Sequence, residues 1–373
     1  MPARLTLLIG TAKGLFQLTS PPPARDTWKL DGPQFLGQVV QHVVPDPRKK
    51  GLLLAGIETG HLGPTVLRSE DAGKTWKEAT KPPAFPKAKK GEKGKSVRSV
   101  FWLTPGHAST PGRWYAGTIP HGLFVTEDNG DTWSGVASFN KLVADAPWAK
   151  DEPPGGPYTH SIMVDPRDAR NVLVNLSLGG TLESTDGGKT WRGCNKGCTI
   201  DFGPDPNPEF GQDPHHCAMA PSDPDILYQQ NHCGIFRMDR REGHWTRIGD
   251  NMPRAVGDIG FPVAVHPRDA NTAWVFPMDG TATWPRTSPA GKPAIYKTTD
   301  GGPKWARHDK GLPRANAYYT VLRHAMKADD GDPVGLYLGT TSGEVWASRD
   351  EGASFACLAA HLPRILSIQP WKR

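Results

Sequence analysis

Apolar residues come in short bursts along this chain, each closed off by glycine, proline or a small polar residue. Leu5 to Ile9 runs into Gly10, Leu52 to Ala55 runs into Gly56, and Val172 to Val174 is framed by Asn171 and Asn175. Bursts of this length between turn residues read as strands, not helices. A further strand lies upstream of several of them and ends in Asp-Pro-Arg, at Asp46 and Asp165, or in the related His266-Pro267-Arg268. No apolar run reaches membrane-spanning length, so no membrane partner is expected. The opening Met-Pro-Ala-Arg and the apolar run after it are too short for a secretory signal and read as the approach to a strand.

The strands belong to a repeat. Ser69-Glu70-Asp71-Ala72-Gly73-Lys74-Thr75-Trp76 returns at Thr126–Trp133 and at Ser184–Trp191. Weaker copies occupy Thr298–Trp305 and Ser348–Phe355, and a degenerate one runs from Met238-Asp239 to His244-Trp245. The octet has hairpin chemistry. Aspartate accepts from nearby backbone N–H groups, glycine takes the left-handed position, and the closing aromatic ring packs between sheets. The pattern resembles the Asp-box, or BNR, repeat of the sialidase-like β-propellers. That resemblance implies that the boxes are structural and lie away from any active site.

The boxes recur about every 50 to 60 residues, one four-stranded blade each. Six boxes give six blades, and the chain ends supply a seventh. Leu5–Gly10, Gly14–Leu18 and Thr27–Leu30 read as its later strands, and Arg364–Pro370 as its first. The expected fold is therefore all-β. It is a seven-bladed β-propeller in a single domain, 1–373, closed by N- and C-terminal strands sharing the last blade. Approximate blades are 37–80, 96–139, 159–194, 214–250, 258–309 and 317–358, with 364–371 plus 4–31 as the seventh.

Composition adjusts this picture only at the margins. The net charge is +6, much of it in the run Lys87 to Arg98, which reads as a solvated loop with a weak pull on anions. That run lacks interleaved aromatics, so no nucleic-acid partner is expected. Five cysteines without framework spacing fit a reducing cytoplasm. Monomer and homodimer both suit a chain of this kind.

Chemistry is expected on one face. The long insertions Lys81–Lys95, Ala137–Tyr158, Cys194–Asp213 and Pro277–Pro293 fall on the side opposite the boxes. Histidines gather there too. His61, His121 and His232 sit at second-to-third strand junctions, while His160, His216 and His324 sit near the starts of inner strands. Imidazoles recurring at matching blade positions suggest a divalent transition metal (Fe, Cu, Mn or Zn). His215 competes with His216, because a shift of one residue in strand parity exchanges which of them faces the channel. Glu58, Asp213 and Asp258, with Arg323, are the candidate catalytic groups beside the metal. Cys217 and Cys233 read as small buried residues before they read as ligands.

These residues together suggest a metal-dependent enzyme, a hydrolase, lyase or oxidase, acting on a small and anionic substrate at the channel mouth. A non-catalytic propeller scaffold for protein or ligand binding is the alternative. A sialidase-like glycosidase is the third reading. It lacks support in the motifs, since no Arg-Ile-Pro occurs and only Arg98, Arg314 and Arg323 with Tyr318 or Tyr319 imitate the site.

Overall fold

The computed structural model describes all residues except 1–3, 22–24, 62, 92–93, 151–155 and 280–285, and the backbone alone at 149–150. Parts of the expected loop insertions, Leu62 beside His61 and two residues of the basic run lie outside that description. Among the described residues the chain is almost entirely β, built of four-stranded antiparallel sheets and one eight-stranded sheet. It divides into two compact units, Gly37–Cys194 and Met1–Leu36 with Asn195–Arg373.

Gly37–Cys194 holds three sheets. The first joins Val39–Pro45, Leu53–Thr59, Gly63–Ser69 and Lys77–Glu78 in chain order. The second joins Ser99–Pro105, Trp114–Ile119, Leu123–Thr126 and Ser134–Gly135, and the third Thr159–Val164, Val172–Leu176, Gly180–Ser184 and Arg192–Gly193. Leu54, Val66, Trp114, Phe124 and Trp133 share one buried cluster between the first two sheets. The Ala137–Tyr158 insertion is not all loop. It contains a helix, Ala137–Asp145, that buries Phe139 and Val143, one turn apart. Phe139 meets the Trp191 ring edge-on at 5.1 Å. Asn140 of the helix bonds both the N–H and the C=O of Leu123, so its amide continues the sheet edge as a further strand would.

The other unit holds two four-stranded sheets. One is Pro214–Ala220, Asp223–Asn231, Gly234–Asp239 and His244–Arg247; the other is Gly260–Val265, Ala273–Pro277, Ile295–Thr298 and Ala306–His308. Its eight-stranded sheet contains two sets of four. Val321–Ala328, Leu336–Thr340, Val345–Ser348 and Ala356–Ala359 form one set, and Ile365–Lys372 with Leu5–Thr11, Gly14–Ser20 and Lys29–Gln34 form the other. The C-terminal strand runs antiparallel to Leu5–Thr11, with Ile368 opposite Ile9. It also touches Val321–Ala328 in parallel, at His324 opposite Ser367.

The octets fold into one turn repeated five times. At Ser69–Trp76 the serine hydroxyl donates to Asp71 Oδ1 and accepts the Gly73 N–H, while Asp71 also accepts from the Lys74 and Thr75 N–H groups and the Thr75 hydroxyl. The same serine or threonine to aspartate bond recurs at Asp128, Asp186, Asp300 and Asp350. The degenerate copy has Met238 in place of the hydroxyl, and there Asp239 turns to Arg241 instead. The closing aromatic residue stitches the turn to the chain leaving the preceding sheet. Trp133 N–H donates to Lys81 O, Trp245 N–H to Lys196 O and Phe355 N–H to Lys310 O. Two of those lysines precede a glycine with positive φ. A Cβ at Gly197 would stand 2.2 Å from Trp245 O, and one at Gly311 2.0 Å from Phe355 O. Only glycine allows the approach.

The Asp-Pro-Arg endings are a second repeated device. Asp46 chelates Arg48, and Arg48 then donates to the carbonyls of His107, Thr110 and Arg113 in the next sheet. Arg268 does the same to Asp330 and Gly331, with His266 Nδ1 accepting the Arg268 N–H where the other copies use aspartate.

Candidate functional site

A bulge aims the central residue. In the strand Pro214–Ala220, Pro214 pairs with Asn231 and His216 with Gln230, leaving His215 without a partner opposite it. Bulges of this kind re-aim side chains. His215 Nδ1 donates to Gly260 O at 2.6 Å, and its Nε2 faces Asp213 Oδ2 at 3.5 Å. His216 turns elsewhere and accepts the Val263 N–H on Nδ1 at 3.2 Å, a bond between sheets. His42, in Gly37–Cys194, does the same for Leu103.

The turn Asn231–Gly234 supplies the next residue. The Asn231 side chain donates to Gln229 and accepts the Cys233 N–H, which fixes the turn. His232 then projects from it, its backbone N–H bonded to Asp213 O and its Nδ1 3.6 Å from Asp213 Oδ2. The rings of His215 and His232 meet at 5.7 Å, His215 packs on Phe261 at 5.0 Å, and Arg323 lies 4.8 Å over Phe261. Burial by itself raises the Asp213 carboxyl, but His215, Arg323 and His232 outweigh it and hold it down to about 2. Burial lowers the His232 imidazole below its usual value, against the pull of Asp213.

His232 also lines a cavity of about 750 Å³. Asp201, Asp258 and Asp279 bring three carboxylates to it, beside Arg247, Arg254, Cys233, Pro289 and Ala290. Asp258 is held by Arg247, at 2.9 and 3.2 Å, and fits only because two neighbours lack side chains. A Cβ at Gly234 would come 2.4 Å from Asp258 Oδ2, and one at Gly249 2.1 Å. Asp201 accepts the Cys233 thiol at 3.2 Å. Burial first, then Asp201, pushes that thiol up to about 12. It therefore stays protonated at neutral pH and is a poor metal ligand. Asp201 and Asp279 make no ion pair among the described residues.

Two exposed aromatic rings stand outside the lining but close to its residues. Phe202, 46% exposed, follows Asp201 and meets the His232 ring edge-on. Tyr318, 65% exposed, lies over Gly291, directly after the lining residue Ala290.

The sequence-derived residues distribute unevenly. Asp213, His232, Asp258 and Arg323 fall at or beside this cavity. His324 is buried on Val321–Ala328. Glu58 and His61 belong to Gly37–Cys194, Glu58 in the strand Leu53–Thr59 and His61 in the exposed turn after it. His121 and His160 are buried in the same unit. His121 Nε2 bonds Ser177 O, and His160 Nδ1 bonds Ser161 Oγ. Among the described residues one grouping of three or more His, Cys, Asp or Glu could hold a metal, Asp213 with His215 and His232. Of the six histidines expected as ligands, it contains His232. Reading the sequence missed Asp279 and Phe202. The available signals were an acid inside the Pro277–Pro293 insertion and a lone aromatic in the polar Cys194–Asp213 loop.

No protein-family model matches the chain. Its curated relatives include xyloglucanase Xgh74A of Acetivibrio thermocellus, 25% identical over 319 residues, which are 76% of this chain and 34% of that protein. A xyloglucanase of Paenibacillus sp is 24% identical over 285 residues, 68% of this chain and 24% of the relative. The chain thus spans about a third or less of the length of the curated relatives it matches. Among solved structures, the GH74 xyloglucanase from Xanthomonas campestris superposes with a TM-score of 0.61 at 18% identity, over 99% of this chain and 52% of that one. An ancestral GH74 enzyme gives 0.57 at 16% identity, over 89% and 38%. These likenesses are consistent with a β-propeller. They also correct the functional expectation. The relatives are named for action on a polysaccharide, which overturns the metal-dependent enzyme working on a small anionic substrate.

Proposed function

We propose that this chain is a glycoside hydrolase acting on a polysaccharide, with its site in the cavity of Asp201, Asp258 and Asp279 on a seven-bladed β-propeller. The observation that carries the reading is a cavity lined by several carboxylates with exposed aromatic rings close beside it. Hydrolysis of a glycosidic bond needs one carboxylic acid to protonate the leaving oxygen and one carboxylate to activate water or attack the sugar. Asp201 and Asp279 make no ion pair among the described residues and take these two roles, with the Arg286 charge acting on Asp279, while Asp258 lines the same cavity held by Arg247. Sugar rings present flat C–H faces that stack on aromatic rings, and Phe202 and Tyr318 offer such platforms. The xyloglucanase relatives supply the substrate class, and cytoplasmic residence remains part of the proposal.

The test is release of reducing ends from xyloglucan and other β-glucans. Wild-type protein should release them. Asp201→Asn and Asp279→Asn should each lower kcat at least 100-fold with the fold intact. Phe202→Ala and Tyr318→Ala should raise KM several-fold with a smaller change in kcat. Binding of the polysaccharide without any hydrolysis would make the chain a glycan-binding module, and absence of both would sink the proposal.

A further inference from the structure

The Asp213 cluster is incomplete as it stands. His215 Nδ1 lies 2.6 Å from a carbonyl oxygen, which can only accept, so Nδ1 carries the proton. In the neutral ring Nε2 then presents a lone pair, and it points at a carboxylate oxygen 3.5 Å away. His232 Nδ1 approaches the same oxygen at 3.6 Å. Both separations are too long for a good hydrogen bond. The other carboxylate oxygen, Asp213 Oδ1, is buried with no hydrogen-bond partner among the described residues. A cation seated between them would satisfy the His215 lone pair and the Asp213 carboxylate together.

The spacing says which kind. Two ligands bound at 2.0 to 2.2 Å around a tetrahedral ion stand about 3.4 Å apart, which matches both distances. The Gly260 carbonyl on the far nitrogen of His215 is the outer-shell partner that orients a ligating imidazole and sets its tautomer. We propose that Asp213, His215 and His232 form a binding site for a divalent transition ion of the zinc class. The ion ties the start of the Pro214–Ala220 strand to the turn after Asp223–Asn231. The site shares His232 with the wall of the proposed hydrolase cavity, but no step of that chemistry passes through it. Arg323 and Arg286 both act on Asp213 and compete with the ion for its charge, which weakens its hold on the ion.

The test is cobalt titration of chelator-stripped full-length protein, followed by visible absorption, with zinc competition and thermal melting beside it. Wild type should take up one equivalent, show a ligand-field band that zinc abolishes, and melt several degrees higher with excess zinc. His232→Gln should weaken binding at least tenfold. That side chain is one-third exposed, so the variant should still fold. His215→Asn is a second, buried test of the same ligand set, and Arg323→Gln, by removing a competing cation, should bind more tightly than wild type. Wild-type protein that takes up no cobalt or zinc at millimolar concentration would overturn the site. So would His232→Gln and His215→Asn variants that are folded and bind as wild type does.

Discussion

At the scale of single residues, the octet aspartates act as hydrogen-bond hubs. The Thr75 hydroxyl and N–H hold Asp71 well below the usual carboxylate range, and Thr190 does the same for Asp186. At Asp128 burial works the other way but is outweighed by the Thr126 and Thr132 hydroxyls. A carboxyl with a depressed folded pKa stabilises the protein above its unfolded value, near 4, and that contribution drains away as pH falls further. The urea midpoint should therefore drop between about pH 4 and pH 2. Asp128→Asn should lower the midpoint at pH 7 and flatten this acid limb; an unchanged acid limb in the variant would mean that other carboxylates dominate. The octets were legible because a short aspartate turn writes its own hydrogen bonds into consecutive residues. The distinction between His215 and His216 was not legible. A one-residue bulge decides it, and bulges leave no periodic trace.

Between neighbouring elements, the joints come down to single side chains and single absences. Trp133 is 1% exposed and sits against the preceding sheet's cluster, with its ring N–H on Gly130 O. Trp133→Ala should cost roughly 3–5 kcal/mol, read from denaturant midpoints. Gly311→Ala tests the opposite kind of joint, since the added carbon meets a backbone oxygen that cannot swing away. Its cost should be about 2 kcal/mol or more. The Lys-Gly pairs 196–197 and 310–311 were in plain view in the sequence, but their meaning depends on which carbonyl lies opposite, a contact across some fifty residues. The helix Ala137–Asp145 was likewise hidden, because a nine-residue helix in a long insertion shows too few turns for its period to stand out.

At the scale of the whole molecule, the all-β character and the four-stranded sheets followed from the strand bursts and the repeat spacing. The functional reading did not follow. Recurring histidines suggested metal chemistry, yet His42 and His216 serve as acceptors between sheets, a structural use that recurs for the same reason the fold does. The exposed rings of Phe202 and Tyr318 carried more information, and no sequence period marks them. The pairing of Ile365–Lys372 with Leu5–Thr11 has a consequence in time. A ribosome adding about 5 to 20 residues per second needs on the order of 20 to 70 seconds to travel from one strand to the other. For that interval Leu5–Thr11, whose apolar residues end up buried, waits with an open hydrogen-bonding edge. Leu5–Thr11 must stay out of wrong pairings until Ile365–Lys372 arrives.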